Sequence, residues 1–121
     1  MLTRTEVSAD AVIAGDFIFI NGVLPVNLED ETVALNEYIE EQTEDCLANA
    51  EIVLKRYGLD RSAVVAVRVA MTHIDTLYKR MDGAYIGFFA SDKLPTRSVI
   101  GVAGLPRGAT VQMDFVARKS S

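Results

Sequence analysis

The sequence is poor in the residues from which disulfides and metal centres are built. It has one cysteine, one histidine and no tryptophan among 121 residues. One cysteine excludes an internal disulfide, and no cysteine–histidine spacing typical of a zinc site is present. Cys46 lies beside Leu47 in a helical pattern, which favours a buried structural thiol over a nucleophile. We therefore predict no metal site.

Long apolar runs and an excess of basic residues are missing as well. No window approaches the roughly 18 apolar residues of a membrane span, and the first residues contain no apolar signal core. We expect a soluble cytoplasmic protein without a membrane partner. The net charge is −5, and residues 29–54 include many acids but no lysine or arginine. That stretch is typical of a solvated helix face and repels phosphates, so nucleic acid is not an expected partner.

The apolar pattern predicts a single domain over residues 1–121, with the element order β-β-α-β-α-β-β. Strands are predicted at 11–14 and 17–21 around a Gly15-Asp16 turn, and at 64–71, 97–103 and 110–117. One helix is predicted at 37–57, ending at Gly58, and a second begins at an Asp75 N-cap, with an apolar stripe that continues to Phe89. Two helices on one face of an antiparallel or mixed sheet make an α+β fold.

The second face of this sheet has a composition that suits neither solvent nor a closed core. Alternation along 64–71 predicts two sets, one facing the helices (Val65, Val67, Val69, Met71) and one facing away (Val64, Ala66, Arg68, Ala70). The second set mixes small apolar residues with a charge, and Asp114 joins it from the last strand. A subunit interface accommodates both kinds of residue, so we predict an oligomer. The alternative is an open sheet wetted on one side.

A segment near the C-terminus carries most of the functional information. It runs Pro95-Thr-Arg-Ser-Val-Ile-Gly-Val-Ala-Gly-Leu-Pro-Arg-Gly-Ala-Thr-Val-Gln-Met113 and places Arg97 at the mouth of an otherwise apolar strand. The strand after its Leu-Pro-Arg-Gly turn leads to Asp114. The planar fork of a guanidinium matches the two oxygens of a carboxylate. The segment therefore indicates a site for a small carboxylate.

This segment, with other segments in the same order, strongly resembles the RidA (YjgF) family. The other matching segments are Ala14-Gly-Asp-Phe-Ile-Phe-Ile-Asn-Gly22 with Pro25, Glu40-Glu-Gln-Thr43 with Leu47-Ala-Asn49, and Tyr85-Ile-Gly-Phe-Phe89. The resemblance extends over residues 11–117. It implies a chorismate-mutase-like α+β fold, with two helices on one face of a mixed sheet. It also implies a homotrimer with inward-facing sheets and three sites in the clefts between subunits.

The resemblance further implies hydrolysis of reactive enamines and imines, such as 2-aminoacrylate and 2-iminopropionate, to the 2-keto acid and ammonia. Arg97 would hold the substrate carboxylate, a backbone N–H near Val99 would add a bond, and Asp114 would position the attacking water. Phe17 and Asn21 would line the pocket. This chemistry needs no metal, cofactor or covalent nucleophile.

Several pocket positions depart from the family pattern. The N-terminal Gly-Pro-Tyr-Ser-Gln is absent, and Ser8 stands where the pocket tyrosine is expected. The family's serine, asparagine and glutamate are replaced by Asn21, Asp82 and Asp114. A pocket with altered walls implies either a different imino acid or weak deamination.

Other interpretations remain open for individual residues and for the whole chain. Arg97 could be an intersubunit ion-pair partner, and Asp114 could pair with Arg68 across the interface. His73 is better suited to a loop or capping role than to that of a general base, and Tyr85 is expected to pack in the helix stripe. The chain could bind a small keto acid without turnover. A ribonuclease, an activity attached to some relatives as endoribonuclease L-PSP, fits the acidic composition poorly.

Overall fold

A computed structural model describes residues 11–119 and contains one five-stranded sheet with two long helices on one of its faces. The strands are β1 (Ala11–Ala14), β2 (Phe17–Val23), β3 (Val64–Met71), β4 (Thr96–Gly101) and β5 (Val111–Arg118). The helices are α1 (Ile39–Arg56) and α2 (Ile74–Ile86). The predicted order and α+β class are confirmed.

The sheet is mixed, with the strand order β1-β2-β5-β3-β4. Strands β1, β2, β5 and β3 pair antiparallel in that order, whereas β4 pairs parallel to β3. Parallel neighbours require a crossover, and helix α2 provides it. β4 ends the strand order and is therefore an edge strand, and side chains of α2 reach it at Arg97 and Gly101.

The core lies between the sheet and the helices. From β3, the side chains of Val67, Val69 and Met71 are buried, as predicted. Met113 and Phe115 of β5 are 1% and 0% exposed beside them. Helix α1 covers this layer with buried residues at helical spacing: Ile39, Thr43, Cys46, Leu47, Ala50, Val53 and Leu54. Cys46 is a free and fully buried thiol, and burial raises its pKa, so the prediction of a structural cysteine agrees with the structure.

The predicted alternation in β3 is wrong at its first two residues. Val64 is buried and Val65 is 42% exposed, the reverse of the expectation. The register shifts between Val64 and Ala66 against β5, so Val65 is the extra residue of a β-bulge. The bulge turns Val64 toward the core and leaves Val65 exposed.

The helix ends follow backbone geometry that the sequence indicated only in part. Gly58 has the left-handed φ of +75°, and the N–H groups of Gly58 and Leu59 return to Lys55 O and Leu54 O, which closes α1 as predicted. The predicted N-cap at Asp75 is wrong. His73 caps α2 with a φ of +53°, its carbonyl accepts from the N–H groups of Thr76 and Leu77, and Asp75 lies in the first turn. His73 is thus in a capping position.

Helix α2 also ends at Ile86, earlier than its predicted stripe, so Phe88 and Phe89 lie in the turn that follows it. No helix within residues 11–119 combines the length and the apolarity needed to cross a membrane.

Candidate functional site

Arg97 lies at the free edge of the sheet, on the side covered by α2. Its register partner on β3 is Val67, a buried residue of the helix-covered face. The Arg97 guanidinium donates from Nη1 to Asp82 Oδ1 at 2.6 Å and from Nη2 to the Tyr78 hydroxyl at 3.1 Å. Its side chain is 21% exposed and that of Asp82 is 31% exposed. The charged group is therefore partly buried yet still reachable from solvent.

Tyr85 fixes the plane of this guanidinium from one side. The Arg97 Cζ lies 4.6 Å from the centre of the Tyr85 ring, within the range of a cation–π contact. Tyr85 itself is 4% exposed, and burial raises the pKa of its hydroxyl to about 12. This hydroxyl is buried without a hydrogen-bond partner in the part of the chain that the structure describes. The site thus contains a polar group with unused bonding capacity.

The backbone of β4 adds donors beside Arg97. The N–H of Val102 donates to Met71 O on β3, and N–H directions alternate along a strand. The N–H groups of Ser98 and Ile100 therefore point toward β3, whereas that of Val99 points out from the free edge. Val99 is half-buried, and its side chain follows that of Arg97 on the same face.

Asp114 lies on the opposite face of the sheet, where both of its oxygens are occupied. Oδ2 accepts from Arg68 Nε at 3.2 Å and from Nη2 at 3.0 Å, and Arg68 is its direct register partner on β3. Oδ1 accepts from the N–H of Gly22 at 2.7 Å. Gly22 has a left-handed φ of +71° in a register shift between Ile20 and Val23, which turns its N–H toward Asp114. Asp114 and Arg68 therefore pair within one chain.

The face that bears Asp114, which we call the open face, contains a shallow cleft. Its volume is about 520 Å³, and its walls include Phe19, Asn21, Arg68, Arg97, Ser98 and Asp114. Phe17 lies on the same face at the start of β2, 40% exposed, with the Arg118 guanidinium 6.0 Å from its ring centre. The open face thus combines aromatic surface with a charged pair.

Comparison with known proteins identifies the family to which this chain belongs. The model of the family described as endoribonuclease L-PSP matches residues 3–119. The chain belongs to this family, which is the RidA (YjgF) family. The resemblance found in the sequence is thereby confirmed.

Two relatives and one solved structure show how close the similarity is. The RutC family protein y4sK of Sinorhizobium fredii is 32% identical over 89% of this chain and 83% of its own length. The chloroplastic Reactive Intermediate Deaminase A of Arabidopsis thaliana is 29% identical over 90% of this chain and 57% of its own length. A protein of Thermotoga maritima has a TM-score of 0.84 at 32% identity, with 93% of this chain and 86% of that chain covered.

The predicted site residues of this RidA-family chain separate into two groups. The Arg97 guanidinium, Asp82 and Val99 lie at the α2 side of the β4 edge. Asp114, Asn21 and Phe17 lie on the open face, whose cleft Arg97 also lines. Ser8 is outside the described residues. No group of three or more His, Cys, Asp or Glu side chains within residues 11–119 is placed to hold a metal ion.

Two residues that contact Arg97 in this RidA-family site were not predicted from the sequence. Tyr78 was not singled out, although it precedes Asp82 by one helical turn and therefore shares its face of α2. Tyr85 was expected only to pack in the helix stripe, whereas its ring also contacts Arg97. The spacing of residues 78, 82 and 85 is the signal that could have found this face.

Proposed function

We propose that the chain hydrolyses reactive 2-imino acids and their enamine forms to 2-keto acids and ammonia, in clefts between the subunits of a homotrimer. The Arg97 guanidinium carries this proposal. The guanidinium is held at the sheet edge against Tyr85, and it makes two hydrogen bonds to other groups within residues 11–119. A guanidinium has five N–H donors, so part of the fork is available to a carboxylate. The relative named Reactive Intermediate Deaminase A supports this reaction class.

The proposed site needs two copies of the chain. Within one chain, Arg97 and Asp114 lie on opposite faces of the sheet, because their register partners on β3 are the successive residues Val67 and Arg68. The cleft on the open face has Arg97 and Asp114 of one chain in its lining, but the Arg97 guanidinium bonds to Asp82 and Tyr78 of α2. A pocket that contains this guanidinium and Asp114 therefore combines the β4 edge of one subunit with the open face of another. The exposed apolar side chains of the open face support such a contact, since Phe17 and Phe19 are each 40% exposed.

In this arrangement the substrate carboxylate binds Arg97 and the edge N–H of Val99. Asp114 of the neighbouring subunit accepts a hydrogen bond from a water molecule and takes its proton as the oxygen bonds to the imine carbon. Asp114 returns this proton to the nitrogen and then carries the proton of the added hydroxyl to the nitrogen as well. The carbon–nitrogen bond breaks as the oxygen becomes the keto oxygen, and the nitrogen leaves as ammonia. One imine and one water give one keto acid and one ammonia. Imines already hydrolyse in water, so orientation and one acceptor suffice, at about 1.4 kcal/mol per tenfold acceleration.

A second candidate function is binding of a small carboxylate without turnover. It is favoured by the bonding of Asp114, whose two oxygens are engaged by Gly22 and Arg68. A carboxylate held in this way has less capacity left for orienting a water molecule. A ribonuclease is disfavoured by the net charge of −5, although the family's description contains the word endoribonuclease.

The test is the release of keto acid and ammonia from imino acids formed in situ by an amino-acid oxidase. Wild type, Arg97→Ala and Arg107→Ala are compared with a reaction without protein. Arg107 is a matched control, because it is an arginine in the nearby turn that pairs with Glu31, away from the Arg97 cluster. We expect acceleration by wild type and by Arg107→Ala, and none by Arg97→Ala.

The oligomeric state of each variant is measured alongside by size-exclusion chromatography with light scattering. We expect Arg97→Ala to keep the assembly of the wild type. Collapse of the assembly would assign Arg97 to an intersubunit ion pair instead. Failure of the wild type with small, branched and aromatic imino acids would favour the binding function.

A further inference from the structure

The Arg97–Asp82 pair places a second, negatively charged group beside the guanidinium that is proposed to bind the substrate carboxylate. Asp82 Oδ1 lies 2.6 Å from Arg97 Nη1, so the two charges form one partly buried unit with no net charge. The second oxygen of Asp82, Oδ2, makes no hydrogen bond to any residue in the described range 11–119. The pair therefore offers both unused guanidinium donors and an unused carboxylate acceptor.

A simple anion fits this unit poorly. Its carboxylate would have to share one guanidinium with Asp82, which leaves two negative groups around one positive group in a partly buried place. A zwitterion fits it well, since its carboxylate pairs with Arg97 while its cationic nitrogen pairs with Asp82. The ring of Tyr85 contacts the Arg97 guanidinium of this pair, and the Tyr85 hydroxyl is a buried polar group with no hydrogen-bond partner among residues 11–119.

We propose that Asp82 determines specificity by pairing with a cationic nitrogen of the ligand, so that Arg97 and Asp82 together recognise a carboxylate bearing an adjacent ammonium or iminium group. This proposal rests on the proposed function and names its substrate form. The protonated imine of a 2-keto acid is such a zwitterion, with its charged nitrogen one carbon away from the carboxylate.

Two consequences follow for the reaction. An iminium is a stronger electrophile than a neutral imine, and a carboxylate next to its nitrogen favours the protonated form. The keto acid product has lost the nitrogen and is a simple anion, so its affinity for the pair falls as the reaction completes. Asp82 would thereby favour substrate over product.

The experiment measures binding of L-alanine and L-lactate by isothermal titration calorimetry at neutral pH. These ligands share a carbon skeleton and a carboxylate, and they differ by an ammonium group against a hydroxyl. The variants are Asp82→Asn, Arg97→Ala and Asp75→Asn. Asp75→Asn removes one negative charge from the exposed first turn of the same helix and is the charge-matched control. Thermal unfolding checks that each variant folds.

We expect the wild type and Asp75→Asn to bind alanine about tenfold or more tightly than lactate. Asp82→Asn is expected to bring the two affinities together, mainly by improving lactate binding, and Arg97→Ala to bind neither ligand. Equal affinities in the wild type, an unchanged ratio in Asp82→Asn, or no binding of either ligand would each overturn the inference.

The two proposals fail separately. Arg97-dependent imine hydrolysis with no effect of Asp82→Asn on the alanine-to-lactate ratio would reject the role of Asp82 alone. A ratio that depends on Asp82, in a protein that hydrolyses no imine, would reject the deaminase and leave a zwitterion-binding site.

Discussion

The two tyrosines of α2 that contact Arg97 differ in the state of their hydroxyl groups. Tyr78 is exposed, and its hydroxyl accepts from Arg97 Nη2 at 3.1 Å. Tyr85 is buried, and its hydroxyl has no hydrogen-bond partner among the residues described, 11–119, although the centre of its ring lies 4.6 Å from the Arg97 Cζ. Its ring therefore orients Arg97, while its hydroxyl loses water on folding without compensation.

We predict that Tyr85→Phe stabilises the protein and raises its free energy of unfolding by about 1 kcal/mol. The substitution removes a buried polar group that makes no hydrogen bond, and it keeps the aromatic contact with Arg97. Urea unfolding followed by circular dichroism measures the effect. Tyr78→Phe is the matched control, because it removes a hydroxyl that does accept a hydrogen bond and should give a small loss. A loss of about 1 kcal/mol or more in Tyr85→Phe would mean that its hydroxyl is bonded in the assembled protein.

At the scale of elements, an ion pair joins the outer surfaces of α1 and α2. Arg80 donates from Nε and Nη2 to the two oxygens of Glu40, at 2.7 and 2.9 Å. This hydrogen bonding lowers the pKa of Glu40 from 4.5 to about 2. Because the folded-state pKa is the lower one, the pair stabilises the fold above about pH 4.5, and this contribution is lost as the pH falls toward 2.

We predict that Glu40→Gln lowers the melting temperature at pH 7 and that its difference from wild type disappears as the pH approaches 2. The effect at pH 7 should be small, because both side chains are nearly half exposed and water screens the pair. Thermal unfolding at several pH values measures it. Glu44→Gln removes the same charge from an exposed position of α1 and is the control. Its difference in melting temperature from wild type should not follow this pH dependence. A difference in melting temperature between Glu40→Gln and wild type that is independent of pH would show that the Glu40–Arg80 ion pair is not its cause.

The elements could be predicted from the sequence, because turn residues and apolar periodicity are local signals. The bulge at Val65 could not be predicted, since it depends on the pairing of β3 with β5. The N-cap of α2 is His73 rather than Asp75, because the backbone of His73 adopts the left-handed conformation. The sequence likewise indicated that Asp82 replaces the asparagine of the family pattern. Its contact with Arg97 depends on how α2 crosses β4, and no local pattern contains that geometry.

At the scale of the whole molecule, the open face is the feature that a single chain leaves unexplained. Phe17 and Phe19 of β2 are each 40% exposed, on the face that also bears the Asp114–Arg68 pair. Burial of such apolar area between subunits is favourable by about 25 cal/mol per Å². The two halves of the proposed site lie on opposite faces of one sheet, so assembly and activity should depend on the same contact.

We predict that Phe19→Asp converts a trimer into single chains and abolishes imine hydrolysis at the same time. A buried charge on the open face opposes association, and separated subunits can no longer bring the Arg97 guanidinium of one chain to Asp114 of another. Ile52→Asp is the control, because Ile52 is 46% exposed on α1, away from the open face, and this variant should remain trimeric and active. Sedimentation velocity gives the mass, expected at three times that of one chain for the wild type. A wild type that is monomeric yet hydrolyses imines would show that one chain contains a complete site. A trimeric Phe19→Asp variant would place the subunit contact elsewhere.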